Sequence, residues 1–149
     1  MNHGLERYVA YMESISTEVP DGLEAVVTSD IRFRDPFNDF SGISTFEKLI
    51  SDMCDSLDQL NIVVSHAGEI PARRSGSVIG IMRWDLSGQL NRLSDRAWQV
   101  SGYSELTFAD DLRVCQHIDY WDAASGLYEQ LPLLGSLCRW VRRRLALQF

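Results

Sequence analysis

Residues 97–121 read AWQVSGYSELTFADDLRVCQHIDYW, and this stretch decides the fold class of the chain. Apolar and polar side chains alternate along it, which is the two-residue period of a β-strand. The alternation stops at Ala109-Asp110-Asp111, a run that is typical of a tight turn. We therefore predict two antiparallel strands, Ala97–Phe108 and Leu112–Trp121, that form a hairpin.

The same alternation occurs in three earlier segments of the chain. It predicts strands near Asn61–Glu69 and Ser77–Leu86, with a turn at Ser87-Gly88 after the second. A shorter strand is expected at Ile31–Asp35, followed by a turn over Asn38–Gly42. These segments together predict a sheet of at least five strands.

Helical spacing of apolar residues is found before and after these strands. It predicts a helix at Leu5–Ile15, a short second helix at residues 23–27, and a third helix that opens with a capping box of Ser44 and Glu47. Residues 123–147 are also predicted to be helical, with a break at their proline. Helices on one side of an antiparallel sheet make an α+β fold.

Composition limits the possible classes of protein. The chain has 149 residues, of which 45% are hydrophobic and 23% charged, so we expect residues 1–149 to form one globular domain with 123–147 as a C-terminal helical extension. The net charge of −7 argues against nucleic-acid binding. Neither a signal peptide nor a membrane span is evident in the sequence, and three scattered cysteines do not suggest disulfides or a zinc site. We expect a cytoplasmic protein with no metal.

The C-terminal helix is predicted to be basic and amphipathic. It carries Arg139 and Arg142–Arg144, with leucines, a tryptophan and a valine between them, and has no acidic residue after Glu129. Such a helix can dock on its own domain or on a partner subunit with its arginines in water, which we favour. The alternative is that it lies on a membrane surface.

Asp35 is a candidate catalytic base on grounds of strand periodicity. It shares a strand face with Ile31 and Phe33, so we expect it to point toward the apolar interior. A desolvated carboxylate favours its protonated form, which suits it to proton transfer. The alternative is that Asp35, followed by Pro36, only caps a turn at the end of the strand.

Two short motifs resemble the ketosteroid isomerases. Residues 6–10 (ERYVA) and Arg34-Asp35-Pro36 are similar to the segments that carry that family's oxyanion tyrosine and its catalytic base, so the resemblance implies those roles for Tyr8 and Asp35. It places Ser104 where the family has a protonated aspartate, and a serine is a weaker oxyanion donor.

Four further motifs are found in the chain: RFRDPF at residues 32–37, Arg83-Trp84, DYWDAA at 119–124 and LYEQLP at 127–132. They resemble the SnoaL-like branch of the nuclear transport factor 2-like superfamily. The resemblance implies a cone-shaped α+β fold, in which a bent antiparallel sheet wraps around helices and encloses a pocket. Some members are polyketide cyclases that work by acid/base chemistry without a cofactor.

The resemblance places Trp84, Ser104 and Tyr120 on the concave side of the sheet. Strand parity adds Gln116 to the face of Tyr120, and we predict that these four residues bind a ligand. The same parity assigns His117 and Asp119 to the convex face. We expect a homodimer through that face, because it carries several apolar residues, namely Ile79, Ile81, Tyr103 and Trp121.

Two functions remain open from the sequence. The first is a cofactor-free isomerase or polyketide cyclase acting on a small apolar carbonyl compound, with Asp35 moving the proton and Tyr8 polarising the oxygen. The second is a non-catalytic module that binds a small hydrophobic ligand or joins an assembly. Because one fold hosts many functions, fold analogy does not choose between them.

Overall fold

The computed structural model describes residues 2–73, 78–90, 96–131 and 134–146. Within them, helices occupy both ends of the chain and most of the strands follow one another in its second half. The elements are α1 (His3–Ser14), α2 (Leu23–Val26), β1 (Val27–Arg34), β2 (Asp39–Ser41), α3 (Ile43–Ser56), β3 (Leu57–Pro71), β4 (Val78–Leu90), β5 (Arg96–Phe108), β6 (Val114–Trp121), α4 (Ala123–Gly126), a 3₁₀ turn (Tyr128–Gln130) and α5 (Leu134–Leu145).

The strands form one open sheet in the order β2-β1-β6-β5-β4-β3. All neighbouring strands are antiparallel except β1 and β6, which are parallel. Register shifts interrupt three of the strand pairs, and such bulges bend a sheet. The expected bent α+β cone with an additional C-terminal helix is confirmed.

Two helices cover the inner face of the sheet. The helix α1 buries Leu5, Tyr8 and Tyr11, and α3 buries Phe46 and Ile50. Each set recurs at spacings of three or four residues, which places its members on one side of a helix. The strands contribute inward side chains to the same core, among them Ile31, Phe33, Met82, Trp84, Leu86, Val100 and Leu106.

The start of α3 differs from the sequence prediction. The helix begins at Ile43 after Gly42, whose φ of 106° ends the preceding strand, and no side chain caps it. Ser44 therefore lies inside the first turn, and the predicted capping box with Glu47 is wrong. The preceding segment was expected to be only a turn, but Asp39–Ser41 pairs with β1 as an edge strand.

Two other boundaries also differ. The turn predicted at Ser87-Gly88 is absent, because β4 runs to Leu90 and pairs with β3 and β5 on both sides. The C-terminal segment is not one helix but α4, a 3₁₀ turn and α5. The side chain of Asp122 accepts hydrogen bonds from the amides of Ala124 and Ser125 and so caps α4. The predicted break at Pro132 lies outside the described residues.

A bulge near the start of β6, opposite the end of β5, decides which side chains of β6 face the interior. Phe108 pairs with Val114, and the residue before it in β5, Thr107, pairs with Gln116. Cys115 is therefore an extra residue in β6. Beyond this point Ser104 lies opposite Asp119. Directly opposed residues share a face, and a shift of one residue exchanges the faces of a strand.

No helix in the described ranges is both long and apolar enough to cross a lipid bilayer.

Candidate active site

A cavity of about 350 Å³ lies between the inner face of the sheet and α3. This volume is in the range of small-molecule sites, roughly 300–1,000 Å³. Its walls are mainly apolar and aromatic, with Phe33, Phe46, Trp84, Trp98 and Trp121 among them. The polar residues that line it are Asp35, Asn38, Ser56, Ser104, His117 and Asp119.

His117 is the centre of a buried hydrogen-bond network. Its imidazole is 1% exposed, and Nδ1 lies 2.6 Å from the hydroxyl of Tyr8, which is fully buried on α1. On its other side, Nε2 lies 2.7 Å from Oδ1 of Asp119 and 3.0 Å from Oγ of Ser104. The strand therefore connects a phenol from the core to a carboxylate at the cavity wall through one imidazole.

Ser104 fixes the same carboxylate from the neighbouring strand. Its hydroxyl donates to Oδ1 of Asp119 at 2.5 Å and accepts a hydrogen bond from the indole Nε1 of Trp84 at 2.9 Å. Because Trp84 can only donate, the serine proton is free for the carboxylate. Oδ1 of Asp119 thus receives two hydrogen bonds, and no described residue donates to its Oδ2.

The donors and acceptors assign one tautomer to His117. Burial is the largest cause that raises the pKa of Tyr8 well above its usual value, and the negative charge of Asp119 adds to it, so the phenol keeps its proton. That proton is donated to Nδ1, and Nε2 then carries the proton that is donated to Asp119. The rings of Phe33 and Phe46 contact the imidazole edge-on, with ring centres 5.2 and 6.0 Å from its own.

Close packing of the backbone holds Trp84 in place. A Cβ atom on Gly102, which lies opposite Trp84 on β5, would be 2.5 Å from Cζ2 of the indole and 2.9 Å from the carbonyl oxygen of Tyr120. Only glycine leaves room for the ring to cross the strand at this point.

Asp35 lines the cavity and also caps a turn, so both interpretations of its position hold geometrically. Oδ1 accepts hydrogen bonds from the amides of Phe37 and Asn38 at 2.7 and 2.6 Å. The side-chain amide of Asn38 lies 3.1 and 3.2 Å from its two oxygens. These bonds satisfy much of the carboxylate, and its role as a base stays a prediction.

The other predicted site residues divide into two groups. Trp84 and Ser104 line the cavity as expected, although Ser104 is fully buried and its hydroxyl is engaged with Trp84 and Asp119. Tyr8 is buried in the core and does not belong to the lining, so its hydroxyl contacts His117 rather than a ligand.

Gln116 and Tyr120 lie on the outer face of the sheet, contrary to the sequence prediction. Tyr120 is 50% exposed and pairs with Tyr103, another outward residue. The physical reason is the bulge at Cys115, since without it the parity of β6 would have placed these two residues beside Ser104. The same correction moves Trp121 from the predicted convex interface into the cavity.

His117 and Asp119 are the site residues that sequence reasoning assigned to the wrong face. Their spacing of two puts both on one side of a strand. Ser104, a serine in an apolar face, is a signal that a polar group of β6 lies opposite it, since a buried hydroxyl requires a polar partner. His117 and Asp119 are that partner in the structure, but Gln116 and Tyr120 satisfy the same signal in the sequence.

The cavity has no strong charge to attract an anion. Neither arginine nor lysine is among the described residues that line it, whereas two carboxylates are. The described residues also contain no group of three or more His, Cys, Asp or Glu side chains placed to hold a metal ion.

The fold is that of the nuclear transport factor 2-like (NTF2-like) proteins. Similar structures include an NTF2-like protein of unknown function from Exiguobacterium sp. 255-15, at a TM-score of 0.66 and 15% identity over 80% of this chain and 98% of that one. A putative SnoaL-like polyketide cyclase from Jannaschia sp. CCS1 has a TM-score of 0.64 and 16% identity, over 82% of this chain and 88% of that one. An LEH-like epoxide hydrolase from M. tuberculosis has a TM-score of 0.61 and 16% identity, over 98% of this chain and 95% of that one.

Residues 20–117 match the family described as "Uncharacterized conserved protein (DUF2358)", and the chain belongs to that family. No curated protein matches the sequence. The superfamily that the sequence motifs suggested is thereby confirmed at the level of the fold, while the low identities leave the reaction open.

Proposed function

We propose that this protein is an enzyme that moves protons on a small, neutral, apolar carbonyl compound bound in the cavity. One observation carries the proposal: Asp119 lines an apolar cavity, its Oδ1 is held by His117 and Ser104, and no described residue donates to its Oδ2. A carboxylate that is fixed at one oxygen and open at the other has the geometry of a general base. Structural relatives that include a putative SnoaL-like polyketide cyclase and an LEH-like epoxide hydrolase also support an enzyme.

In the proposed reaction, Oδ2 of Asp119 takes a proton from the carbon next to the carbonyl, and the electron pair moves onto the oxygen as an enolate. If the compound has a double bond between its β- and γ-carbons, return of the proton from Asp119 to the γ-carbon gives isomerisation. Attack of the enolate carbon on a second carbonyl of the same molecule gives cyclisation, and the resulting alkoxide takes the proton back from Asp119. Both need only a base and a site for the proton, so the proposal includes no cofactor. His117 is a positioning residue that orients the carboxylate.

In this proposal Asn38 stabilises the developing oxyanion by donating a hydrogen bond to it. Asn38 lines the cavity, and its side-chain amide has a second proton beyond the one shared with Asp35. In this scheme Asp35 positions Asn38. The original assignment, in which Asp35 is the base, is the competing proposal within the same reaction class.

The absence of lysine and arginine from the described lining favours neutral ligands over carboxylates or phosphates. A buried anion beside two acidic residues would lack a partner, and unpaired buried charge is costly. A thermal-shift screen of matched pairs, each a flat ketone and its carboxylic-acid analogue, tests this preference. We expect the ketones to raise the melting temperature and the acids to leave it unchanged.

Compounds that bind then enter a turnover assay with product analysis. Asp119→Asn is expected to keep ligand affinity and to lower kcat by about 10²–10⁴-fold, the usual contribution of a general base. Asp35→Asn should retain most of the turnover. Asp52→Asn, which alters an exposed ion pair with Lys48, is the control. Full turnover in Asp119→Asn together with loss in Asp35→Asn would transfer the role of base to Asp35.

The second candidate function is a binding module for a hydrophobic ligand. It is favoured by the predominantly apolar lining of the cavity. Wild-type protein that binds ketones tightly and converts none of them would support this function over the enzyme.

We also propose a homodimer through the outer face of the sheet. Tyr103 and Tyr120 are 51% and 50% exposed there, next to the half-buried Ile79 and Ile81. A contiguous group of this kind is typical of a protein–protein interface.

A further inference from the structure

The helix α5 packs against the segment just before it through a side other than its apolar one. Its contacts are concentrated on the 3₁₀ turn Tyr128–Gln130. Gly135 is the buried residue of the helix, and a Cβ atom there would collide with the carbonyl oxygen of Glu129. The helix therefore approaches the domain through its smallest residue.

Two arginines complete this attachment. Nη1 of Arg139 donates to the carbonyl oxygen of Glu129 at 2.7 Å, and Nη2 of Arg142 lies 2.7 Å from Oε1 of the same residue. Gly135, Arg139 and Arg142 are four and three residues apart and so lie on one side of the helix. These two arginines thus turn toward the 3₁₀ turn, and the apolar side of α5 does not dock on the described part of its own domain. Docking of that side on a partner subunit stays a prediction.

The apolar side of α5 is left uncovered. Leu134, Leu137, Val141 and Leu145 follow helical spacing along it and are 39%, 56%, 40% and 80% exposed. We call these four residues the apolar stripe. Trp140 lies beside it, 52% exposed, with the guanidinium of Arg144 5.5 Å from the centre of its ring.

Charge indicates what covers the apolar stripe. By helical spacing Arg142 and Arg144 border it on its two sides, and no acidic residue occurs in α5. Two such helices packed stripe to stripe would therefore bring like charges together. An anionic lipid surface offers the opposite charge together with an apolar layer. Leucines and a tryptophan on one side with arginines at their border are the pattern of a helix that lies in the membrane interface.

We propose that the apolar stripe of α5 binds the surface of anionic phospholipid membranes, while Glu129 holds the helix against the domain. The helix lies in the plane of the interface and does not span it. Leu127, two residues before Glu129, lines the cavity, so binding places the cavity next to the lipid. An apolar compound dissolved in the membrane would then have a short path to the proposed active site.

The test is sedimentation with vesicles of phosphatidylcholine, either pure or containing about one third phosphatidylserine, because the proposal requires anionic lipid. We expect wild-type protein to bind the mixed vesicles at low salt, to bind the neutral vesicles far more weakly, and to be released by high salt. Replacing Arg144, which borders the apolar stripe, with serine should weaken binding by about fivefold.

The decisive variant carries Leu137→Ser and Val141→Ser, and its matched control carries Leu112→Ser and Val78→Ser, which are 40% and 47% exposed elsewhere. We expect the first pair to lower vesicle affinity by at least about tenfold and the control to keep it. Absence of wild-type binding at low salt, or an equal loss in the control, would overturn the proposal. A third result would also overturn it: no vesicle binding by wild type, together with a change from dimer to monomer in the α5 variant. That result would assign the apolar stripe to contact with a second copy of the chain.

Discussion

Nε2 of His117 lies 2.7 Å from Oδ1 of Asp119, two residues further along β6, and Nδ1 of the same imidazole lies 2.6 Å from the hydroxyl of Tyr8. The imidazole therefore connects the buried phenol of α1 to a carboxylate at the cavity. This arrangement has consequences for stability and for pH dependence as well as for function.

Removing the Tyr8 hydroxyl should destabilise the fold. Tyr8→Phe leaves Nδ1 of His117 buried without a donor, and an unsatisfied buried group costs about 1–3 kcal/mol. Urea denaturation measures the loss. The comparison is Tyr11→Phe, which removes a hydrogen bond to the carbonyl oxygen of Pro20 in a partly buried site and should cost less. Equal losses in the two variants would contradict the importance assigned to the Tyr8–His117 bond.

Alkaline pH should destabilise the protein through two phenols. Burial raises the pKa of Tyr8 well above 10.0 and that of Tyr11 to about 12. A raised pKa in the folded state gives stability that is complete below the unfolded value near 10.0 and is lost as pH rises through the folded value. Above the unfolded pKa, Tyr8 alone should lower the free energy of unfolding by up to about 1.4 kcal/mol per pH unit.

This pH effect is measured as the urea midpoint between neutral pH and the alkaline limit of the protein. Tyr8→Phe should show a shallower alkaline decline than wild type, and Tyr11→Phe a smaller change in the same direction. An identical decline in wild type and Tyr8→Phe would show that the phenol does not ionise on unfolding in this range.

Gly102→Ala should disturb the cavity, because the new methyl group would meet the indole of Trp84 at 2.5 Å and the backbone of β6 at 2.9 Å. Overpacking of a core typically costs about 1–3 kcal/mol. Gly68→Ala is the matched control, since nothing lies within 4 Å of its Cβ position. Thermal unfolding should separate the two variants, and a Gly102→Ala protein as stable as the control would contradict the packing described for Trp84.

Light scattering at micromolar concentration tests the proposed dimer. We expect a dimer mass for wild type and a monomer mass for Tyr103→Glu, because a carboxylate would replace an apolar ring at the centre of the outer face. Cavity ligands should still bind to that variant. A monomer mass for wild type would refute the dimer and leave the cavity proposal unaffected.

The sequence predicts the strands and the hairpin because these depend on local periodicity and turn chemistry, and it indicates the superfamily only because short motifs resemble those of known members. It does not predict the face of β6, because a single extra residue at Cys115 exchanges the two faces and leaves the alternation of the sequence unchanged. That bulge accounts for the assignment of Tyr120 and Gln116 to the cavity and of His117 and Asp119 to the outside. The side of α5 that meets the 3₁₀ turn is not predicted either, because an amphipathic pattern shows that a helix has two sides but not which of them contacts its own chain.

The central claim is that Asp119 removes protons from a carbonyl compound in the cavity, and hydrogen–deuterium exchange tests it without knowledge of the natural substrate. Ketones that bind are incubated with the protein in D₂O, and NMR follows the loss of the protons next to the carbonyl. We predict that wild type and Asp52→Asn accelerate exchange at saturating ketone, that Asp119→Asn does not although it still binds, and that Asp35→Asn retains most of the rate. Exchange that is undiminished in Asp119→Asn, or no exchange by wild type with any ketone that binds, would contradict the account.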